Sequence, residues 1–167
     1  MQYSPDRDIR EKLGPFLIPI GRTVVGMALG VVLAFIGIAI AWSIFIFSGV
    51  QSVDTWLGSL FFGAGLGAGT GGFVAWLHID RENGLVLLFT IAIIVGAGIL
   101  GAWGGYQYGS TVEVECCAMP TRSPIYYTAL GATVVANVAG IAVAAARAYL
   151  TKRMATSNPK HGALTVK

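Results

Sequence analysis

The run Gly63-Ala64-Gly65-Leu66-Gly67-Ala68-Gly69-Thr70-Gly71-Gly72 constrains this chain more than any other stretch. It lies within Trp56–Leu77, which contains no charged residue and is long enough to cross a bilayer. At about 100° per residue on a helix, Gly63, Gly67 and Gly71 fall on one face, and Gly65, Gly69 and Gly72 on the opposite one. Phe62, Leu66, Thr70 and Phe73 supply the only bulky ridge. A glycine costs about 1 kcal/mol against alanine in an exposed soluble helix. Six in one run are tolerable only where other backbones approach closely, as in small-xxx-small packing in lipid. The segment is therefore expected to be the hub of a membrane bundle. One glycine face should pack within the protein, leaving the other for a neighbouring subunit or a bound apolar molecule.

Composition agrees. A soluble domain carries about a quarter charged residues, whereas this 167-residue chain has 11% charged and 55% hydrophobic residues and a mean hydropathy of +0.72. The fold class expected is an all-α integral membrane protein, a bundle of four transmembrane helices with short loops and a glycine-rich second helix. Residues 1–19 form a polar N-terminal segment. Ser4 and Pro5 can start a short surface helix there, which Gly14-Pro15 ends. Residues 20–150 hold the four spans, at about 20–47, 56–77, 85–106 and 125–150. Residues 151–167 form a basic tail. The first apolar run is far longer than a signal-peptide core, so no signal peptide is expected.

Lysine and arginine positions set an orientation. Arg7, Arg10, Lys12 and Arg22 precede or open the first span, Arg81 lies between spans two and three, and Arg147, Lys152, Arg153, Lys160 and Lys167 close the chain. Arg122 alone falls on the other side. The positive-inside rule then places both termini in the cytoplasm, in a plasma or inner membrane. Trp42, Trp56, Trp103, Tyr106, Tyr108, Tyr126 and Tyr127 gather at the opposite interface, as an aromatic belt does.

The first, third and fourth spans each offer one small-residue face. These are Gly26 and Gly30 followed by Ala34; Ala97, Gly101 and Gly105; and Ala132, Ala136 and Gly140. Intramembrane ionisable residues mark ion and proton pathways, and none lies mid-span here. The most central polar residue is Asn137, on a face with Thr133 and Gly140. An interhelical hydrogen bond toward Thr70 or Thr90 is its expected role.

The glycine run resembles that of rotary ATPase proteolipids, but those need a mid-membrane carboxylate where this chain has Asn137, so the comparison fails. Haem and metal sites need ligands, usually histidine, and His78 and His161 are the only two. No cofactor or metal is expected, and no nucleic-acid motif is present. Cys116 and Cys117 occupy the outer loop. Adjacent Cα atoms lie about 3.8 Å apart, below the usual disulfide range of about 4.4–6.8 Å. Free thiols or bridges to another chain are therefore easier than a mutual disulfide. With no nucleophile–base set in view, the chain is not expected to be an enzyme.

The expected function is a non-catalytic accessory, structural or assembly subunit that meets the lipid bilayer and other integral membrane subunits, or its own copies, through small-residue faces. One alternative is a small oligomeric channel or facilitator for a neutral or weakly polar solute, lined by Thr70, Thr90, Thr133 and Asn137. Another is a thiol-redox membrane protein using Cys116 and Cys117.

Overall fold

The computed structural model describes residues 5–49, 52–76, 84–112 and 123–157. They form four helices, α1 Pro5–Ser48, α2 Val53–Trp76, α3 Gly84–Thr111 and α4 Pro124–Ser157, with no strand among the described residues. Each contains a stretch long and apolar enough to cross a membrane: Ile18–Ser48, Val53–Trp76, Gly84–Thr111 and Pro124–Arg153. The all-helical, four-span class read from the sequence holds. In hydrocarbon a helix satisfies its own backbone, which no open strand can do.

Local chemistry sets the helix ends. The Ser52 carbonyl accepts the first α2 bond from Trp56 N at 3.0 Å, and Asp54 sits in that positive first turn. Ser123 precedes Pro124, which occupies the first position of α4, where a missing N–H costs nothing. Gly49, at φ 68°, ends α1 in the left-handed region. The expected break at Gly14-Pro15 does not occur, because α1 runs unbroken through Pro15 and Pro19. Each proline removes one helix hydrogen bond. The carbonyls left without that donor belong to Glu11 and Pro15, before the apolar span begins at Ile18, where water can replace it.

Glycine contacts fix the register. Between α1 and α2, Gly37 meets Gly63, the Leu33–Ala34 backbone meets Gly67, and Gly30 meets Gly71, so the pair is antiparallel. Between α2 and α3, Gly65 meets Gly98 and Ile99 while Gly69 meets Val95. Between α3 and α4, Gly101 meets Gly131 and Gly105 meets Tyr127. Gly26 and Gly30 of α1 meet Asn137 and Thr133 of α4. α2 and α4 run parallel across the bundle, with Gly72 near Ala136 and Trp76 against Gly140. Among the described residues α1 and α3 make no contact. The result is an up-down-up-down ring, α1-α2-α3-α4, with α2 and α4 on its short diagonal.

This geometry corrects the expectation of a spare glycine face on α2. Gly63, Gly67 and Gly71 press on α1, Gly65 and Gly69 on α3, and Gly72 on α4. Both faces are used inside the protein, and from Phe62 onward the ridge of Phe62, Leu66, Thr70 and Val74 is what α2 turns outward. Phe73, assigned to that ridge from sequence, instead packs against the core. The core is built of small residues: Ala34, Ala64, Ala68, Ala102, Ala129, Ala132 and Ala136 are fully buried, and among the described residues Ile38, Leu60 and Ile94 are its only large buried apolar side chains. Accordingly α2, with the lowest mean hydropathy of the spans at 1.3, is also the most enclosed.

Candidate functional site

Three places in the bundle carry features that packing alone does not explain. The first is Asn137, in the α1/α4 seam and 2% exposed. Its Nδ2 donates to the Thr133 carbonyl of its own helix at 2.9 Å, and its buried Oδ1 has no conventional donor. The Oδ1 faces Gly26, where a methyl group would overlap it and would also lie 2.9 Å from the Ala75 Cβ. The oxygen therefore lies against the Gly26 backbone, in space that any side chain at that position would take.

The expected bond from Asn137 to Thr70 or Thr90 does not form. Thr70 lies on the outer face of α2 and donates to Leu66 O at 2.7 Å. Thr90 is at one end of α3 and donates to Val86 O at 2.8 Å. Thr133 donates to Ala129 O at 2.8 Å beside Gly30. Each hydroxyl closes on its own helix, as threonine does when no better acceptor is near. The four residues face three directions and do not line one path.

The second place lies where α2 ends and α3 begins. Trp76, Thr90 and Arg147 surround a small cavity of about 20 Å³ whose floor is Ile94 and Gly140. Thr90, Ile94 and Gly140 are buried, whereas Phe73, Trp76 and Arg147 are half-buried, so the cavity sits in the flank of the bundle. Arg147 Nη2 donates to Thr90 Oγ1 and, at 3.5 Å, to Val86 O. Trp76 Nε1 is buried without a hydrogen-bond partner. Sequence reasoning counted Arg147 only as a flanking charge. Side chains tilt toward the N-terminus of their helix, so an arginine near the C-terminal end of a span leans back into it. The α3/α4 register places the Arg147 backbone level with Leu85, and its head reaches a turn deeper, to Thr90. That tilt, applied to α4, was the signal available in the sequence.

The third place is the outward face of α3. Gly101, Gly105 and Gly109 each meet α4 at backbone distance, but a methyl group at Gly96 or Gly104 would meet nothing within 4 Å. Gly104 lies in an open groove of about 490 Å³ floored by Gly101, Gly105 and Gly131 and flanked by Leu100, Tyr108, Tyr127 and Leu130. Sequence reasoning also passed over Gly37, Gly98 and Gly131, three of the closest backbone contacts. Gly37 falls seven residues after Gly30, two helical turns along the same face, which would have revealed it.

At the far end of the bundle the belt aromatics contact one another: Phe61 with Tyr106 at 5.5 Å, and Tyr127 with both Tyr108 at 5.3 Å and Tyr126 at 5.9 Å. Cys116 and Cys117, with His78, Asp80, Glu82, Glu113 and Glu115, lie outside the described residues. Comparison with protein-family models, curated proteins and solved structures finds no match to this chain.

Proposed function

We propose that this protein is a non-catalytic accessory, structural or assembly subunit of a larger membrane complex, carried in a plasma or inner membrane with both termini in the cytoplasm. The lysine and arginine asymmetry supports the orientation. The observation that carries the functional reading is the pair of glycines on the outer face of α3. A methyl group would also meet nothing at Gly21, Gly58 and Gly84, which lie within six residues of a span end, but in the middle of the spans every glycine of α2, α3 and α4 is pressed against a neighbouring helix except Gly96 and Gly104. A glycine that gives up helix propensity without an internal contact is accounted for if another protein's helix approaches it.

The test follows from that contrast. Gly67 and Gly71 abut α1 backbone, so leucine there reports folding of the bundle and says nothing about assembly. Gly104→Leu projects into an open groove, and Gly96→Ala adds a methyl group that meets nothing within 4 Å, so both spare the internal packing. Purified in mild detergent, the wild type should retain another membrane protein at fixed stoichiometry, and these variants should lose it with an unchanged unfolding midpoint. A wild type that purifies alone as a stable monomer, or a Gly104→Leu variant that keeps its partner, would overturn the reading.

A further inference from the structure

We propose that the projecting end of α4 gathers anionic phospholipids around Lys152 and Arg153, in the leaflet nearest the two chain termini. The α3/α4 register sets Gly84, the first residue of α3, level with Ala148. α4 nevertheless continues to Ser157, so from Tyr149 onward it stands clear of α3. Residues 148–153 are all exposed, which is more than one full turn of helix. No side of that turn is packed into the bundle.

The turn is apolar and basic together. Tyr149 and Leu150 are 65% and 52% exposed, and Lys152 and Arg153 follow within a turn. A tyrosine here has the amphipathic ring of an interfacial residue, and the apolar span of α4 closes at Arg153. Both features set the two basic side chains at headgroup depth. An acidic protein or a nucleic acid in solution would answer the charge but not the exposed Tyr149 and Leu150 beside it. A lipid answers both.

Charge then selects among lipids. On α1, Asp6, Asp8 and Glu11 cancel Arg7, Arg10 and Lys12. Arg22 is offset by the connection from α2 to α3, where Asp80 and Glu82 outnumber Arg81. From Cys116 onward the chain has no acidic residue, so Arg147, Lys152, Arg153, Lys160 and Lys167 remain. This end therefore holds an excess of five positive side chains, whichever acid each base meets within the protein. At the other end Asp54, Glu113 and Glu115 outnumber Arg122, so the attraction belongs to one leaflet. Each basic residue beside an anionic membrane surface is worth roughly a five-fold preference.

The test uses the full chain carrying Cys116→Ser and Cys117→Ser, reconstituted in phosphatidylcholine vesicles, with a bimane fluorophore attached through Ala148→Cys. Brominated phosphatidylglycerol or brominated phosphatidylcholine is added at a low fraction and quenches the fluorophore on contact. At low salt, phosphatidylglycerol should be enriched at this position by about five-fold or more over phosphatidylcholine. The enrichment should fall toward equality in 1 M salt, where screening acts within about 3 Å. Lys152→Gln with Arg153→Gln should remove most of it, whereas Lys152→Arg with Arg153→Lys should keep it. A fluorophore attached through Ser110→Cys, exposed at the opposite end of α3, should show no enrichment. The proposal is overturned if the two lipids quench alike at Ala148→Cys, if salt leaves the enrichment unchanged, if Ser110→Cys shows it equally, or if the double glutamine variant retains it. Should the glutamine variant not reconstitute, Ala148→Cys against Ser110→Cys in the two salts decides alone.

Discussion

Replacing Gly67 by alanine adds one methyl group, and the structure says where it goes. It would land on the Leu33 carbonyl and 2.8 Å from the Ala34 nitrogen. These are backbone atoms of α1, so no side chain can rotate away. Ordinary contacts between heavy atoms lie at about 3.5–4.0 Å, and restoring them requires α1 and α2 to part by on the order of 1 Å. A gap of that size forfeits roughly a quarter to a half of the dispersion energy of each contact it opens. The flanking Gly37–Gly63 and Gly30–Gly71 contacts share the loss. Overpacking costs about 1–3 kcal/mol, partly offset by up to about 1 kcal/mol of helix propensity gained. A net destabilisation of about 1–2 kcal/mol follows. Gly104→Ala makes the same chemical change where nothing lies within 4 Å, so it should keep the propensity gain and stabilise by up to about 1 kcal/mol. Equilibrium unfolding in mixed micelles, followed by tryptophan fluorescence, reads both. A Gly67→Ala protein within about 0.5 kcal/mol of wild type, the usual scatter of neutral substitutions, would refute the register.

The α1/α4 seam predicts a coupled pair. Gly26→Ala should destabilise by about 1–3 kcal/mol through overlap with Asn137 Oδ1, and adding Asn137→Ala should recover at least about 1 kcal/mol in a double-mutant cycle. Asn137→Leu removes the Nδ2 bond to Thr133 O and sets larger methyl groups where Oδ1 already lies against Gly26, so the same unfolding assay should show a loss of about 1–3 kcal/mol from overpacking. Stability within about 0.5 kcal/mol of wild type would show that the seam is looser than this packing. Thr70→Val, on the outer face, should change stability by less than about 0.5 kcal/mol, since its hydroxyl serves only its own helix.

Much of the architecture was legible because it depends on chain-length quantities. Span length, charge-free runs and the glycine period of α2 follow from bilayer thickness and helix geometry, and they foretold both the four spans and the close approach of α2 to its neighbours. The continuity of α1 was not legible. Gly14-Pro15 carries every local mark of a helix end, and the lost hydrogen bonds fall where the sequence does not reveal that the helix continues. The partner of Asn137 was hidden for another reason. A polar side chain suggests a polar partner, yet the close approach that Gly26 permits sets backbone against Asn137 Oδ1 instead. Arg147 was misjudged because counting charges at a span end ignores the direction in which a helix throws its side chains.

The same absence of a hydrophobic driving force between helices in lipid explains why the least apolar span is central and why the exposed glycines matter. In water, large apolar side chains would be drawn to the core. Here Phe62, Leu100 and Phe47 remain on the surface, where lipid suits them as well as protein would, and the interior goes to alanine and glycine because they bring the most backbone atoms into contact. A small residue is thus the membrane counterpart of a buried leucine, and a small residue turned outward is the counterpart of an exposed apolar patch. Under that rule Leu100, 69% exposed, carries no message, whereas Gly96 and Gly104 on either side of it do. Gly104→Leu would fill the groove floored by Gly101, Gly105 and Gly131 without disturbing the bundle, so it separates assembly from folding in a way that no glycine of α2 can.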